Sequence, residues 1–360
     1  MKFPSYRLLF LLFALLPLTG QARSIFDLMH TGADEPLALR LEVAMDSVLS
    51  KVGGKLPARV SFTDVDGGVQ RWELKTSVRG KFRRRRCEFP PLKLNFSKKD
   101  LAAAGLTEFD KYKLVSTCTD APEAADLVLK EYLAYRVYNL LTPQSFRVQR
   151  VDVTYVDTGG RHPDRTAVAF LIEDTDEMAA RLGGTEIDQI AGQPASAYHP
   201  TAEATHALVQ YLFGNGDYSM SMGRNLKAVR MASGLLVPVG YDFDFSGWVG
   251  APYASPTSEI GQQSIYQRIY QGYAQPDEVL RRVADHFRDQ RRNVMDYIAN
   301  FHYLPVEERT VVQRFAARFF RGLQQMNNNG GQALYDQLRH GVAEVIPPGA
   351  APESFRRMGR

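Results

Sequence analysis

The chain has 360 residues, with 44 lysines and arginines against 40 aspartates and glutamates. Its hydrophobic fraction of 44% and charged fraction of 23% are those of a folded globular protein, which excludes an intrinsically disordered chain. The formal net charge of +4 is too small to predict a general nucleic-acid-binding surface. The length is sufficient for one large two-lobed domain or for two domains.

The first residues have the pattern of a secretory signal peptide. Lys2 and Arg7 give a positive start, and Leu8–Leu18 is an apolar segment that is short for a bilayer span. Gly20-Gln21-Ala22 then offers small residues for cleavage. We therefore predict a signal peptide over residues 1–22 and export to the periplasm or the medium, with an uncleaved anchor as the alternative. No later apolar run is long enough to span, so we expect no stable membrane insertion after cleavage.

The exported form is expected to begin near Arg23, because the charged start, the apolar segment and the small residues follow one another in the order that signal peptidase requires. Amino-terminal sequencing of the purified protein measures this directly. An intact Met1 on a membrane-bound protein would contradict the expectation.

Cys87 and Cys118 are the only two cysteines. In an oxidising compartment they could form a disulfide. Two free buried thiols are the alternative, because sequence alone does not place their Cα atoms within bridging distance.

The N-terminal part contains one predicted helix followed by predicted strands. Pro36–Val52 has a broad apolar face at helical spacing, formed by Leu37, Leu41, Ala44, Met45, Val48 and Leu49. Ala58–Val78 alternates on both sides of Asp66-Gly67-Gly68, which predicts a hairpin. Leu92–Phe96 and the comparable unit Tyr112–Val115 are predicted as two further short strands.

Two basic features of this part allow two interpretations each. The run Arg83–Arg86 is either a solvated loop or an anion clamp, since arginine binds phosphate in a bidentate manner. Lys93, which has leucine on both sides, either lies on the polar face of an edge strand or reaches phosphate groups from a small antiparallel lobe.

The middle of the chain begins with the clearest predicted helix, Pro122–Leu141, which contains Glu131. Phe146–Tyr155 and Thr166–Ile172 are predicted strands, and a short helix near Glu177–Leu182 connects them to the rest. The remaining predicted helices are Ala202–Phe213, Asp277–Phe301, Val306–Asn327 and Gln332–Val345. We therefore predict an α+β fold with a β-rich N-terminal lobe (residues 23–175), a mainly helical C-terminal lobe (176–346) and a flexible tail (347–360).

An acidic hairpin lies between Gly214 and Gly247. Asp217 follows a loop sequence, Asn225 opens an apolar hairpin, and Asp242 and Asp244 close it, two residues apart and on one face of an extended strand. Because a hairpin brings its two ends together, these oxygen ligands converge as a magnesium–phosphate site requires. Each residue also has a structural alternative: a turn cap at Asp217, an ordinary strand start at Asn225, and a solvated strand end at Asp242 and Asp244.

The order of these elements resembles that of protein kinases. The segment VRGKFRRRRCEFPPLKLNF, Val78–Phe96, is similar to the Arg-Gly…Pro-x-x-Lys-x-x-Phe stretch of CotH-like secreted kinases. GNGDYS…RN…PVGYDFDFSG resembles their catalytic aspartate, asparagine and metal-binding aspartate, and also the HipA-type kinase pattern.

This resemblance implies a bilobal protein-kinase-like fold, with ATP and Mg²⁺ as cofactors and a protein or other hydroxyl as acceptor. Asp217 would be the catalytic aspartate, and Asn225 and Asp242 the metal ligands, with Asp244 as the second choice. Lys93 would contact the nucleotide phosphates, with Glu131 as its partner. A catalytically inactive kinase-like binding module of the cell envelope is the alternative.

Overall fold

The computed structural model describes residues 22–80, 82–328 and 331–340. The predicted signal peptide, apart from its last residue, and the predicted flexible tail lie outside these ranges. So does the end of the last predicted helix.

Seven strands of the N-terminal part form a closed barrel in the order β1-β2-β3-β4-β5-β7-β6. Neighbouring strands are antiparallel except β1 and β6, which pair in parallel and close the barrel. The strands are β1 (Leu37–Val43), β2 (Leu56–Thr63), β3 (Val69–Val78), β4 (Leu92–Phe96), β5 (Lys111–Ser116), β6 (Val148–Asp157) and β7 (Arg165–Ile172).

The predicted helix over Pro36–Val52 is wrong. Leu37–Val43 is a strand, and only Met45–Leu49 is helical. Buried and more exposed residues alternate along this segment with a period of two, as in a strand. The side chains of Leu37, Leu39, Leu41 and Val43 therefore all lie in the barrel core. Pairing with β6, more than a hundred residues later in the chain, stabilises this strand.

The predicted hairpin and the predicted short strands are confirmed as β2 to β5, and the next two predicted strands as β6 and β7. Alternate side chains of these strands fill the barrel with an apolar core. Lys93 on β4 and Lys113 on β5 lie between core residues along their strands, so both side chains point to the outer face. They are also direct neighbours across the β4–β5 ladder.

The long helix α5 (Pro122–Leu141) has the predicted bounds and packs against the outside of the barrel at β5, β6 and β7. Most of its surface is buried, including the charged residues Lys130 and Glu131. In the described residues before it there are four shorter helices: α1 (Ile25–Met29), α2 (Met45–Leu49), α3 (Arg83–Arg86) and α4 (Lys98–Ala103).

The C-terminal part is mainly helical and carries a three-stranded sheet in the order β10-β9-β8. Its elements are α6 (Thr175–Arg181), β8 (Gly184–Ile187), α7 (Pro200–Phe213), β9 (Leu226–Met231), β10 (Leu236–Gly240), α8 (Asp277–Asn300), α9 (Val306–Asn328) and α10 (Leu334–His340). The chain is therefore a mixed α+β protein with a β-rich N-terminal part, as predicted. The closed seven-stranded barrel was not predicted and is not typical of a kinase N-terminal lobe.

Among the helices of the described residues, none combines the length and the apolar composition that crossing a bilayer requires.

Cys87 and Cys118 form a disulfide, with their Cα atoms 4.6 Å apart. This decides between the two alternatives that the sequence left open. Cys87 ends α3, and Cys118 lies between β5 and α5. The disulfide therefore ties the short helix α3 to the segment that follows barrel strand β5.

Replacing both cysteines with serine is expected to lower the free energy of unfolding by about 3–5 kcal/mol, because the disulfide restricts the unfolded chain. Urea denaturation of the variant and the parent measures the difference. Thiol titration of the denatured, unreduced parent is the control and should detect no free thiol. Equal stabilities of variant and parent would contradict the expectation.

Candidate functional site

A cavity of about 610 Å³ lies where the barrel meets the helical part. Four of the predicted site residues line it: Asp217, Asn225, Asp242 and Asp244. The other lining residues are Arg79, Gly80, Phe82, Arg83, Pro91, Gly223, Arg224, Tyr241 and Phe245. The cavity thus joins hard oxygen donors to three arginines, a combination suited to a cation and a phosphate group.

Asp217 and Asn225 are tied together at one side of the cavity. Helix α7 ends at Gly214, whose φ of 60° turns the chain into the loop. The Asn225 Nδ2 donates hydrogen bonds to the Asp217 Oδ2 (2.8 Å) and to the Asp217 carbonyl oxygen (2.9 Å). Because the amide nitrogen faces Asp217, the amide oxygen of Asn225 points elsewhere, and it is the atom that a cation would bind.

Burial raises the pKa of Asp217, and the nearby Arg224 guanidinium and the Asn225 hydrogen bond oppose this rise. Arg224 Nε lies 3.6 Å from Asp217 Oδ1. A carboxylate with a raised pKa and a position on a cavity wall is suited to accept a proton from a bound hydroxyl.

Asp242 follows β10 in a left-handed backbone conformation, with φ of 66°. Within the described residues the non-glycine positions with positive φ are Lys51, Asn225 and Asp242, so two of the three lie in this cavity. Strained backbone of this kind concentrates at functional sites. The Asp242 backbone N–H donates to the Tyr135 hydroxyl (2.9 Å), which fixes the position.

The expectation that Asp242 and Asp244 share one face of an extended strand is wrong. Strand β10 ends at Gly240, and the left-handed turn at Asp242 redirects the chain. Asp242 is therefore half-buried at the cavity, whereas Asp244 is 4% exposed and lies deeper.

Glu131, Asp242 and Asp244 form an acid cluster in which each residue places one carboxylate oxygen within 4.8 Å of the others. Arg83 binds two of them: its Nη2 lies 2.7 Å from Glu131 Oε2, and its Nε lies 3.0 Å from Asp244 Oδ2. Tyr253 also donates to Asp244 Oδ2 (3.2 Å). The sequence predicted a lysine as the partner of Glu131, but the structure places Arg83 there.

Burial raises the pKa of Glu131 to about 7, against the lowering effect of Arg83. Burial also raises the pKa of Asp244, with Arg83 again opposing the shift. For Arg83, burial lowers the pKa, but Asp244, Tyr253 and Glu131 outweigh it and hold the pKa well above its ordinary value. Arg83 is thus a permanent positive charge inside the acid cluster.

The run Arg83–Arg86 is not a loop, and its interpretation as an anion clamp stays a prediction. It forms helix α3, in which Arg83 is turned inward to the acid cluster while Arg84, Arg85 and Arg86 are exposed. The arginines that line the cavity alongside it are Arg79 and Arg224.

Lys93 is half-buried on β4 and is not among the residues that line the cavity. Its neighbour Lys113 does not line the cavity either, but it lies against Tyr241, which does. The Lys113 ammonium is shielded from solvent without a hydrogen-bond partner, 4.3 Å from the centre of the Tyr241 ring. Burial lowers its pKa to about 7, and Arg79 and Lys227 add to this effect while Asp242 opposes it.

The Lys113 ammonium is buried beside the cavity residue Tyr241, and the sequence predicted no role for this lysine. A signal was present, since this lysine interrupts a run of apolar residues in a strand that directly precedes the helix with Glu131. Only the packing of Tyr241 and Phe146 over the ammonium distinguishes it from Lys93.

Replacing Lys113 with methionine is expected to stabilise the protein by about 2–4 kcal/mol at pH 6. The folded state disfavours the charged lysine, so this penalty is complete below the folded pKa of about 7 and disappears as the pH rises toward the unfolded value near 10.5. The contacts with the two rings favour the charged form and limit the gain. Urea denaturation from pH 6 to pH 10 measures it, and a constant difference between variant and parent would contradict the expectation.

Comparison with protein-family models gave no match, and comparison with curated proteins gave none either. The resemblance to CotH-like kinases therefore depends on the short motifs quoted above, and the function has to be argued from the site itself.

Proposed function

We propose that this protein binds a magnesium–nucleotide in the 610 Å³ cavity and transfers the terminal phosphate to an acceptor hydroxyl. The observation that carries the proposal is the joint placement of Asp217, Asn225 and Asp242 in the lining of one cavity with Arg79 and Arg224. Phosphate transfer depends mainly on positioning and on compensation of negative charge, and this set of groups supplies both.

The donor set fits magnesium, which prefers oxygen ligands and is bound in nucleotide sites by one or two carboxylates together with phosphate oxygens. Asp242 and Asn225 would bind the ion, and Asp244, which lies deeper, would contribute a further carboxylate. When bound, the ion would neutralise negative charge on the phosphates.

Asp217 would accept the proton of the acceptor hydroxyl as the hydroxyl oxygen attacks the terminal phosphorus. The bond from that phosphorus to the bridging oxygen would break, and the nucleoside diphosphate would leave with the electron pair. Arg79 and Arg224 would contact phosphate oxygens. Lys93, as the motif predicts, or its neighbour Lys113 in its protonated form would add a further positive charge.

The finer fold assignment is part of this proposal. We infer a bilobal kinase-like arrangement, in which β1 to β5, helix α5, strands β6 and β7, helix α7 and the β9–β10 hairpin follow one another and the cavity lies between the two parts. Membership of a CotH-like secreted group would agree with the disulfide, since disulfides persist in oxidising compartments. Export of the protein remains a prediction from the N-terminal sequence.

One observation favours a second function, a kinase-like binding module that does not transfer phosphate. Arg83 binds Glu131 and Asp244 and so neutralises two of the carboxylates that a cation would use. A module of this kind would bind a nucleotide weakly or only through the remaining groups.

Titration calorimetry tests the proposal with magnesium–ATP, with magnesium–ADP, and with either nucleotide when EDTA replaces magnesium. Binding that requires magnesium, together with transfer of labelled phosphate to the protein itself or to a mixture of exported proteins, would support it. Magnesium-dependent binding without transfer would favour the binding module. Absence of nucleotide binding with magnesium would reject both.

A further inference from the structure

Arg83 lies where a cation bound to the acid cluster would lie. Its guanidinium contacts Glu131 Oε2 at 2.7 Å and Asp244 Oδ2 at 2.9 Å through the same nitrogen, so one positively charged atom bridges two carboxylates. The side chain of Arg83 is only 12% exposed, and those of Glu131 and Asp244 are 2% and 6% exposed. In such surroundings the carboxylates need a positive partner.

The cluster carries more acceptor capacity than Arg83 uses. Glu131 is only 1% exposed, and its Oε1 is buried without a hydrogen-bond partner. Three carboxylates share this space with one guanidinium, which leaves an excess of negative charge when all three are ionised. A buried oxygen without a partner is costly, and a divalent cation would satisfy it.

We propose that Glu131, Asp242 and Asp244 form a divalent-cation site that Arg83 and the cation occupy in exchange. Glu131 is then a metal ligand rather than the partner of a lysine, and Arg83 is an internal competitor that stabilises the site without the ion. The site shares Asp242 and Asp244 with the magnesium site of the proposed function, but the exchange itself needs neither a nucleotide nor phosphate transfer.

The spacing of the oxygens suits a small hard cation. In an octahedral Mg²⁺ site with bonds of about 2.1 Å, neighbouring ligand oxygens are about 3.0 Å apart and opposite ones about 4.2 Å apart. One oxygen from each of the three carboxylates already lies within 4.8 Å of the others, so side-chain movements of at most about 2 Å would bring the three oxygens onto one ion. Carboxylate oxygens favour Mg²⁺, Mn²⁺ and Ca²⁺ over metals that prefer nitrogen or sulfur.

The surroundings of Arg83 leave room for the exchange. Arg83 borders the main cavity and also a second cavity of about 200 Å³ on the side of α5. Its guanidinium can therefore leave the cluster by a change of side-chain rotamer. The disulfide at Cys87 holds the end of α3 in place during this change.

Titration of the full-length protein with Mn²⁺, without nucleotide, tests the exchange by calorimetry or by the electron paramagnetic resonance of free Mn²⁺. Arg83→Met should bind Mn²⁺ at least about 10-fold more tightly than the parent, because a competing charge within contact distance is gone. Glu131→Gln should bind at least about 100-fold more weakly, because a direct ligand loses its charge, an effect larger than that of residues that only support a ligand. Arg84→Met, an exposed neighbour on the same helix, is the matched control and should equal the parent.

Equal or weaker Mn²⁺ binding by Arg83→Met relative to Arg84→Met would overturn the proposal, as would an unchanged affinity in Glu131→Gln. If Arg83→Met unfolds because its two carboxylates lose their partner, hydrogen exchange of the unmodified protein gives an independent measurement. Mg²⁺, which is diamagnetic, should then accelerate exchange of the Arg83 Nε–H, which donates to Asp244 Oδ2. Unaltered exchange at saturating Mg²⁺ would equally overturn it.

Because no nucleotide is present in these measurements, failure of the proposed phosphate transfer would not affect them. Conversely, a protein that binds magnesium–nucleotide but shows no competition between Mn²⁺ and Arg83 would retain the proposed function and lose only the exchange.

Discussion

Asp217→Asn is expected to remove phosphate transfer while leaving magnesium–nucleotide binding nearly intact. In the proposed reaction Asp217 accepts the proton of the acceptor hydroxyl, and loss of a general base typically lowers the rate by about 10²–10⁴-fold. Asparagine preserves the size of the side chain and its ability to accept the hydrogen bond from Asn225. The nucleotide affinity should therefore stay within about threefold of the parent value, which is an effect below 1 kcal/mol.

The pH dependence of the parent provides a second check on Asp217. Burial raises its pKa, and a base works only when deprotonated, so the transfer rate should fall as the pH decreases through this raised value. The exposed Asp289→Asn on helix α8 is the matched control for removal of one negative charge. Transfer by Asp217→Asn at the parent rate would end the assignment of Asp217 as the base.

Asp242→Asn is expected to lower the affinity for magnesium–nucleotide by at least about 100-fold, with little change in the fold. The reason is the loss of the charged ligand nearest to the cavity, an effect larger than that of residues that only support a ligand. Asparagine is preferable to alanine here because it tolerates the left-handed backbone at this position. Calorimetry with and without magnesium measures the loss, and circular dichroism checks the fold.

The outcome also decides between the two aspartates. If Asp242→Asn binds magnesium–nucleotide like the parent, the assignment moves to Asp244. Asp244→Asn should in addition reduce stability, because Asp244 is buried and binds Arg83 and Tyr253. If neither Asp217 nor Asp242 matters for binding or transfer, the hairpin is structural and the kinase-like interpretation falls.

The sequence predicted the part of the site whose residues are close together along the chain. Asp217, Asn225 and Asp242 lie on one loop and one hairpin, so a strand pair with a tight turn is enough to bring them to the same cavity. Asp244 follows at the same hairpin end, and nothing in the sequence distinguishes Asp242 from Asp244 as the residue whose positive φ turns the chain there. Local pairing thus predicted the location of these residues but not their orientation.

The sequence by itself also determined helix α5, whose apolar positions and starting proline fixed both of its ends, and the strands with a clear period of two. It failed at β1, because Leu37, Leu41, Met45 and Val48 fit a helix as well as alternate leucines fit a strand. The parallel pairing with β6, set by distant residues, decided between the two.

Only the tertiary structure decided the charges inside the site. Arg83 is 48 residues from Glu131 and 161 residues from Asp244 along the chain, so no local pattern could pair them. Lys93 and Lys113 look alike in sequence, yet packing of aromatic rings shields only the ammonium of Lys113 beside the acidic residues. Short-range periodicity encodes helices, strands and turns, whereas the burial and partners of a charged group depend on which distant surfaces pack around it.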